Sequence, residues 1–279
     1  MKWTRGTKND DVVDARGKKS TGAVLAGGGV GVAVIVFVVA KLFGVDVSGL
    51  FGGSSSSSSS SSTTSTTKEE PPKGPDPDAE LVDYVKYVMK DIQDEFAAQF
   101  QRMGKPYPRA KLILFTQAVD TKCGRSSSAI GPFYCPGDSH AYIDLSFFKD
   151  LRARFGAPGD FAQAYVLAHE VGHHAQNLLD LRGSRTNDHS VRVELQADCY
   201  AGVWAHSAAG KKLLEVGDLE EAITAAQAIG DDRLSKQAGA EVNPETFTHG
   251  SSAQRMKWFR RGFDAGKLEA CDTFSIAEP

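Results

Sequence analysis

Histidine and cysteine are scarce in this 279-residue chain, which has seven of the first and four of the second. Four cysteines, at positions 123, 135, 199 and 271, are too dispersed for a four-thiolate zinc site, which needs two short C-x-x-C pairs. A basic excess is also missing. Thirty-two Lys and Arg stand against 35 Asp and Glu, a net charge of −3, and no basic patch is interleaved with aromatics. That excludes the electrostatic footprint of a nucleic-acid binder. No internal repeat is present. From Thr21 to Ala40 charge is absent altogether, in "TGAVLAGGGVGVAVIVFVVA". A helix of that length rises about 30 Å, the thickness of a hydrocarbon core. With no polar face to interrupt it, the run reads as a membrane span rather than a buried core helix.

These deficits divide the chain. Residues 1–20 are polar, with Lys2, Arg5, Lys8, Arg16, Lys18 and Lys19 outnumbering Asp10, Asp11 and Asp14. Basic residues before a span favour a cytoplasmic N-terminus. The expectation is a cytoplasmic segment (1–20), a single anchor (21–43) and an exported remainder in the cell envelope. Val38-Val39-Ala40 also suits a cleaved signal peptide, but the leader is long and the apolar run exceeds a usual signal core. Residues 44–77 hold Ser/Thr runs and a Pro-rich end, the composition of a disordered tether.

From Asp78 to the end the pattern is globular and long enough for one core. Leu81, Val85, Val88, Met89, Ile92 and Phe96 recur at helical spacing. Residues 110–119 and 140–148 are rich in strand formers. Residues 160–180 read as a helix with Asp160 as N-cap, 182–190 as a break and 191–209 as a second helix. Two or three shorter helices follow, interrupted at Asn243-Pro244. The fold class is α+β, mainly helical with a small sheet. In an exported domain the even cysteine count favours disulfides, Cys123 with Cys135 and Cys199 with Cys271.

Three of the seven histidines fall within "AYVLAHEVGHHAQNLLD" (164–180). His169 and His173 are four apart and share a helix face, where two imidazoles reach one metal ion. Glu170, turned about 100° from His169, addresses a water without ligating the ion. Burying these groups in an apolar helix without partners is costly. Catalytic zinc takes three protein ligands and an open position. The metzincin continuation H-x-x-G-x-x-H is excluded, because Gln176 and Leu179 occupy its Gly and His positions. His189 in the following break is one candidate third ligand. Glu194 is the stronger one. It begins E-x-x-x-D with Asp198, so both acids face the first helix; Asp198 accepts from the free ring nitrogen of a ligating histidine.

H-E-x-x-H followed by E-x-x-x-D is the gluzincin pattern. The wider text, "AHEVGHHAQNLLD", "ELQADCYAGVWAH", "CGRSSSAIGPFYCPGD", "AYIDLSFF", "THGSSAQRMKWFRRGF" and "CDTF", resembles the neutral zinc metallopeptidase family of bacteria. The opening is similar too, through Val12, Asp14, Arg16 and Gly17. The resemblance implies a gluzincin-like domain over 78–279 behind a single-span anchor, one Zn²⁺ on His169, His173 and Glu194, Glu170 as general base, and a peptide or protein substrate. "THGSSAQR" is similar to the T-H-P-x-x-x-x-R segment of membrane-linked gluzincins, with Gly250 in place of proline. It implies catalytic roles for His249, as a donor to the oxyanion, and Arg255, orienting it or holding the substrate backbone. "HAYIDL" is the expected edge strand for an extended peptide. The rival is a tethered binding or scaffold protein that keeps a structural zinc; the presence of Glu170 argues against it.

Overall fold

The computed structural model describes residues 1–17, 74–180 and 186–279. The expected span and most of the expected tether lie outside them. Among the described residues no helix is long and apolar enough to cross a membrane.

The chain enters through strand β1 (Val12–Asp14). Helix α1 (Ala79–Arg102) follows, and Val85, Val88, Met89, Ile92 and Phe96 of its apolar stripe are buried. The expected strand over 110–119 splits in two. β2 (Lys111–Phe115) ends where Gln117 takes a positive φ of 63° and its N–H donates to Asp144 Oδ2 at 2.9 Å. β3 (Ala118–Thr121) then pairs with β4 (Gly124–Ser127) as a separate hairpin. After β5 (Phe133–Cys135), the strand expected over 140–148 also stops early. β6 (His140–Asp144) ends as Asp144 Oδ1 accepts the Ser146 N–H at 3.0 Å, and α2 (Ser146–Ala153) begins, burying Phe147, Phe148 and Leu151.

The main sheet has the order β1-β2-β6-β5, with β5 antiparallel to β6 and the other pairs parallel. This corrects the edge-strand expectation. β6, which carries "HAYID", has a neighbour on both sides, so its backbone groups are already paired; the edge strands are β1 and β5.

A second correction concerns residues 1–17, which are part of the domain rather than a separate segment. Met1 and Val12 are buried, Trp3 meets Tyr84 edge-on at 5.5 Å, and the Met1 ammonium lies 2.6 Å from Asp160 Oδ1 and 3.3 Å from Asp218 Oδ1.

The helical layer is built by α3 (Asp160–Leu178), α4 (Asn187–Gly210), α5 (Asp218–Ala228), α6 (Asp231–Gln237) and α7 (Ser252–Ala265). α4 starts one turn earlier than its apolar pattern, because the Thr186 side chain caps it by accepting from the His189 N–H. Glycines set the helix spacing. A Cβ at Gly202 of α4 would lie 2.0 Å from Phe259 O, and one at Gly262 of α7 1.9 Å from Cys199 O, so these helices cross backbone to backbone. Gly172, inside the histidine motif, brings α3 against Ala197 of α4, where a Cβ would meet backbone at 3.1 Å. Both expected disulfides are present. Cys123–Cys135 ties the hairpin turn to β5, and Cys199–Cys271 ties α4 to the short 3-10 turn Leu268–Cys271.

Candidate metal centre

The close approach of α3 and α4 at Gly172 sets Glu194 of α4 opposite the two histidines one turn apart on α3. Glu194 Oε2 lies 3.1 Å from His169 Nε2, and Glu194 Oε1 lies 3.5 Å from His173 Nε2. One ligand atom from each of the three residues lies within 4.8 Å of the others. The rings stand nearly perpendicular, with centroids 4.7 Å apart.

Each ring is held from behind. His169 Nδ1 is 2.9 Å from Asp198 Oδ1, and His173 Nδ1 is 2.9 Å from Gln176 Oε1. Both partners are acceptors, so both Nδ1 atoms carry the hydrogen and both Nε2 lone pairs face the Glu194 carboxylate. Lone pairs set against carboxylate oxygens at such distances need a cation between them, either a proton or a metal. Without a metal, the proton serves. Burial opposes a charged His169 ring, but the hydrogen bonds to Asp198 and Glu194 outweigh it and push the ring up to about 10. Burial also disfavours the Glu194 carboxylate, yet the charge of His173 and the bond to His169 hold it well below the usual range.

Behind the histidines lies a buried polar network. Asp198 is wholly buried and accepts from Tyr165 Oη, from His169 and from Arg255, whose Nε and Nη2 reach its two oxygens at 2.8 and 2.9 Å. Arg255 Nη1 donates to Ile229 O at 3.2 Å. This corrects the expectation for Arg255. At 1% exposure it faces the back of Asp198, not a substrate, and it neutralises the acid that orients His169. The second network runs through Gln176. Its amide donates to Val193 O and Gln196 Oε1, and Gln196 donates to Cys271 O. Sequence reasoning used Gln176 only to exclude another motif; its place three residues after His173 was the available signal. Tyr165, one turn before His169, was equally within reach of that spacing argument.

Glu170 is buried, and its Oε2 has no hydrogen-bond partner among the described residues. Burial raises its pKa, opposed by the nearby His173 and His169. Two imidazoles and an acid, with an orphaned carboxylate oxygen beside them, make the donor set of a catalytic zinc site and its base. The residues present therefore fit a zinc ion.

His249 lies on the loop before α7. Asp231 organises that loop: its Oδ2 accepts the N–H groups of Thr248, His249 and Gly250 at 2.7, 2.6 and 3.1 Å, and its Oδ1 lies 3.1 Å from His249 Nδ1. Burial disfavours the charged ring, but the bond to Asp231 and the negative charges of Glu194 and Asp231 raise its pKa. Gly250 has φ 85°, a conformation closed to proline, which accounts for its departure from the T-H-P pattern. Asp231 was not singled out from sequence; its recognition needed the loop closed. His189 packs its ring on Phe274 at 5.2 Å in the first turn of α4 and is not part of the ligand group. His174 turns away, with Nε2 2.7 Å from Pro108 O and Nδ1 3.0 Å from Tyr134 Oη.

Comparison with known proteins follows the same line. Residues 1–274 match the model of the family described as "Putative neutral zinc metallopeptidase". The uncharacterized protein YpfJ of Escherichia coli (strain K12) is 42% identical, over 98% of this chain and 99% of that protein. The uncharacterized protein Rv2575 of Mycobacterium tuberculosis (strain H37Rv) is 48% identical over 62% of this chain and 64% of that protein. No solved structure matches.

Proposed function

The chain belongs to this neutral zinc metallopeptidase family, and from that premise we propose that it hydrolyses peptide bonds with one zinc ion held by His169, His173 and Glu194. The observation that carries the reading is the pairing of this three-ligand group with the unpartnered, buried Oε2 of Glu170. When bound, zinc supplies Lewis acidity, lowering the pKa of a water toward ~7 and polarising a carbonyl. Glu170 then does the proton work: Oε2 accepts a proton from the attacking water and returns it to the departing amine. Burial suits it to this task by keeping its carboxyl easy to protonate. His249, fixed through Nδ1 by Asp231, donates from Nε2 to the carbonyl oxygen as that atom gains charge. Asp198, Arg255 and Gln176 position the two ligating rings and touch no substrate. Of the two edge strands, β5 is the one beside α3, since Tyr134 bonds to His174 and Asn177, and an extended substrate pairing with the sheet would use it.

The two disulfides support an exported domain, and residues 21–43 a membrane attachment. The test is metal analysis of the purified chain together with hydrolysis of an unfolded protein. One zinc per chain and chelator-sensitive cleavage are expected, with Glu170→Gln keeping the zinc and losing the cleavage. Zinc without cleavage in the native chain would favour the scaffold alternative instead.

A further inference from the structure

We propose that residues 1–17 stay docked on the peptidase domain as a strand and strap, and so lie on the same side of any membrane as that domain. The proposal is independent of the peptidase reading.

The docking is made by the backbone first. Val12, Val13 and Asp14 pair in parallel register with Leu112, Ile113 and Leu114. The Leu112 N–H donates to Asp11 O at 2.7 Å, the Ala15 N–H to Leu114 O at 2.9 Å, and the Lys2 N–H to Leu213 O at 2.7 Å. Removing the strap would bare the β2 edge and strand those groups. Side chains follow. Trp3 lies against Tyr84, and Asn9 Nδ2 donates to Lys86 O at 3.0 Å. Asp11 bonds to Arg109 at 2.8 Å and Lys111 at 3.2 Å.

The charges matter most. Basic residues of this segment argue from sequence for a cytoplasmic N-terminus. In the fold, Arg5 pairs with Glu80, and Arg16 pairs with Asp14, Asp76 and Asp78. These arginines have docking partners on the domain, which gives them a reason other than topology. Arg16 also fixes the geometry of the join. Its guanidinium is 2.6 Å from Asp76 and 3.2 Å from Asp78, so the chain's exit point and its re-entry point lie side by side. A single crossing between them would hold the two ends about 30 Å apart across the hydrocarbon core and abolish every contact above. The family match begins at residue 1, so the segment and the domain are matched together.

All four cysteines are in disulfides, so one introduced cysteine is the only free thiol. Lys8 on the strap and Lys105 on the domain are both exposed. Lys8→Cys and Lys105→Cys, each in the full chain in intact cells, are treated with a membrane-impermeant maleimide before and after permeabilisation. The expected result is that both positions label alike, either both on intact cells or both only afterwards. One labelled and the other protected overturns the proposal. In parallel, the register partners Val13→Cys and Ile113→Cys are combined in one chain and oxidised. Closure within one chain, read as loss of two thiols by mass without dimer, is expected. Failure to close in a chain whose domain resists proteolysis like the parent overturns it as well.

Discussion

Helix α3 carries two gatherings of three potential metal ligands, and they differ in kind. At its start, Asp160 meets Asp218 and Glu221; in its middle, His169 and His173 meet Glu194. The first trio is explained without an ion. Asp160 and Asp218 occupy the first turns of α3 and α5, where a helix N-terminus favours negative charge. Glu221 accepts the Phe161 N–H, and the Met1 ammonium already sits against both aspartates. Glu194 has no such excuse. It lies inside α4, faces two nitrogen lone pairs, and leaves a neighbouring glutamate oxygen unbonded. The lesson is that proximity of acids does not make a metal site; donor chemistry and an unmet requirement do.

The widest separation should come from removing one acid of each trio. Glu194→Ala is expected to leave the purified chain almost free of zinc after dialysis, a loss beyond the about 10–100-fold typical of an outer partner. Asp218→Ala should keep one zinc per chain. Elemental analysis of both decides, and zinc retained by Glu194→Ala would erase the distinction. Next in size is Arg255→Ala. It leaves Asp198 as an uncompensated buried charge, a destabilisation of about 3–5 kcal/mol. Urea unfolding should show it, with Arg255→Lys recovering part. An unmoved midpoint would mean that Asp198 finds its charge balance elsewhere. Gln176→Ala should cost about 1–3 kcal/mol of stability, because Val193 O and Gln196 Oε1 lose their donor, and weaken zinc by about 10–100-fold in chelator competition, because His173 loses its orienting partner.

The metal trio was legible in the sequence because it depends on helical spacing alone: positions 169, 173, 194 and 198 each need only the period of a helix and one antiparallel packing. The cysteine pairs and the order of the helices were legible for similar reasons. What escaped depends on closure between distant segments. Arg255 has the look of a substrate-binding arginine until α7 crosses α4 at Gly202 and Gly262, which turns it into the interior. Asp231 means little until the 248–250 loop folds over it. The strands at 110–119 and 140–148 were placed correctly but drawn too long, since Asp144 ends both, capping α2 with one oxygen and holding Gln117 with the other. The role of residues 1–17 was hidden because their charge reads the same whether it faces a phospholipid or an aspartate.

The finest test uses the proton that stands in for the metal. In the zinc-free chain His169 is raised to about 10, against about 6.5 for an unfolded histidine. A group whose folded pKa exceeds its unfolded one adds stability that is complete below the lower value. That stability is lost as pH climbs through the higher one, at up to about 1.4 kcal/mol per pH unit. With zinc bound, Nε2 holds no proton and this loss disappears. The gap in unfolding midpoint between zinc-loaded and zinc-free protein should therefore widen from about pH 6.5 to about pH 10, whatever the acids around Met1 contribute, because their share is common to both forms. A gap that stays constant over that range would show that His169 does not exchange a proton for the metal, and the site would have to be built on other atoms.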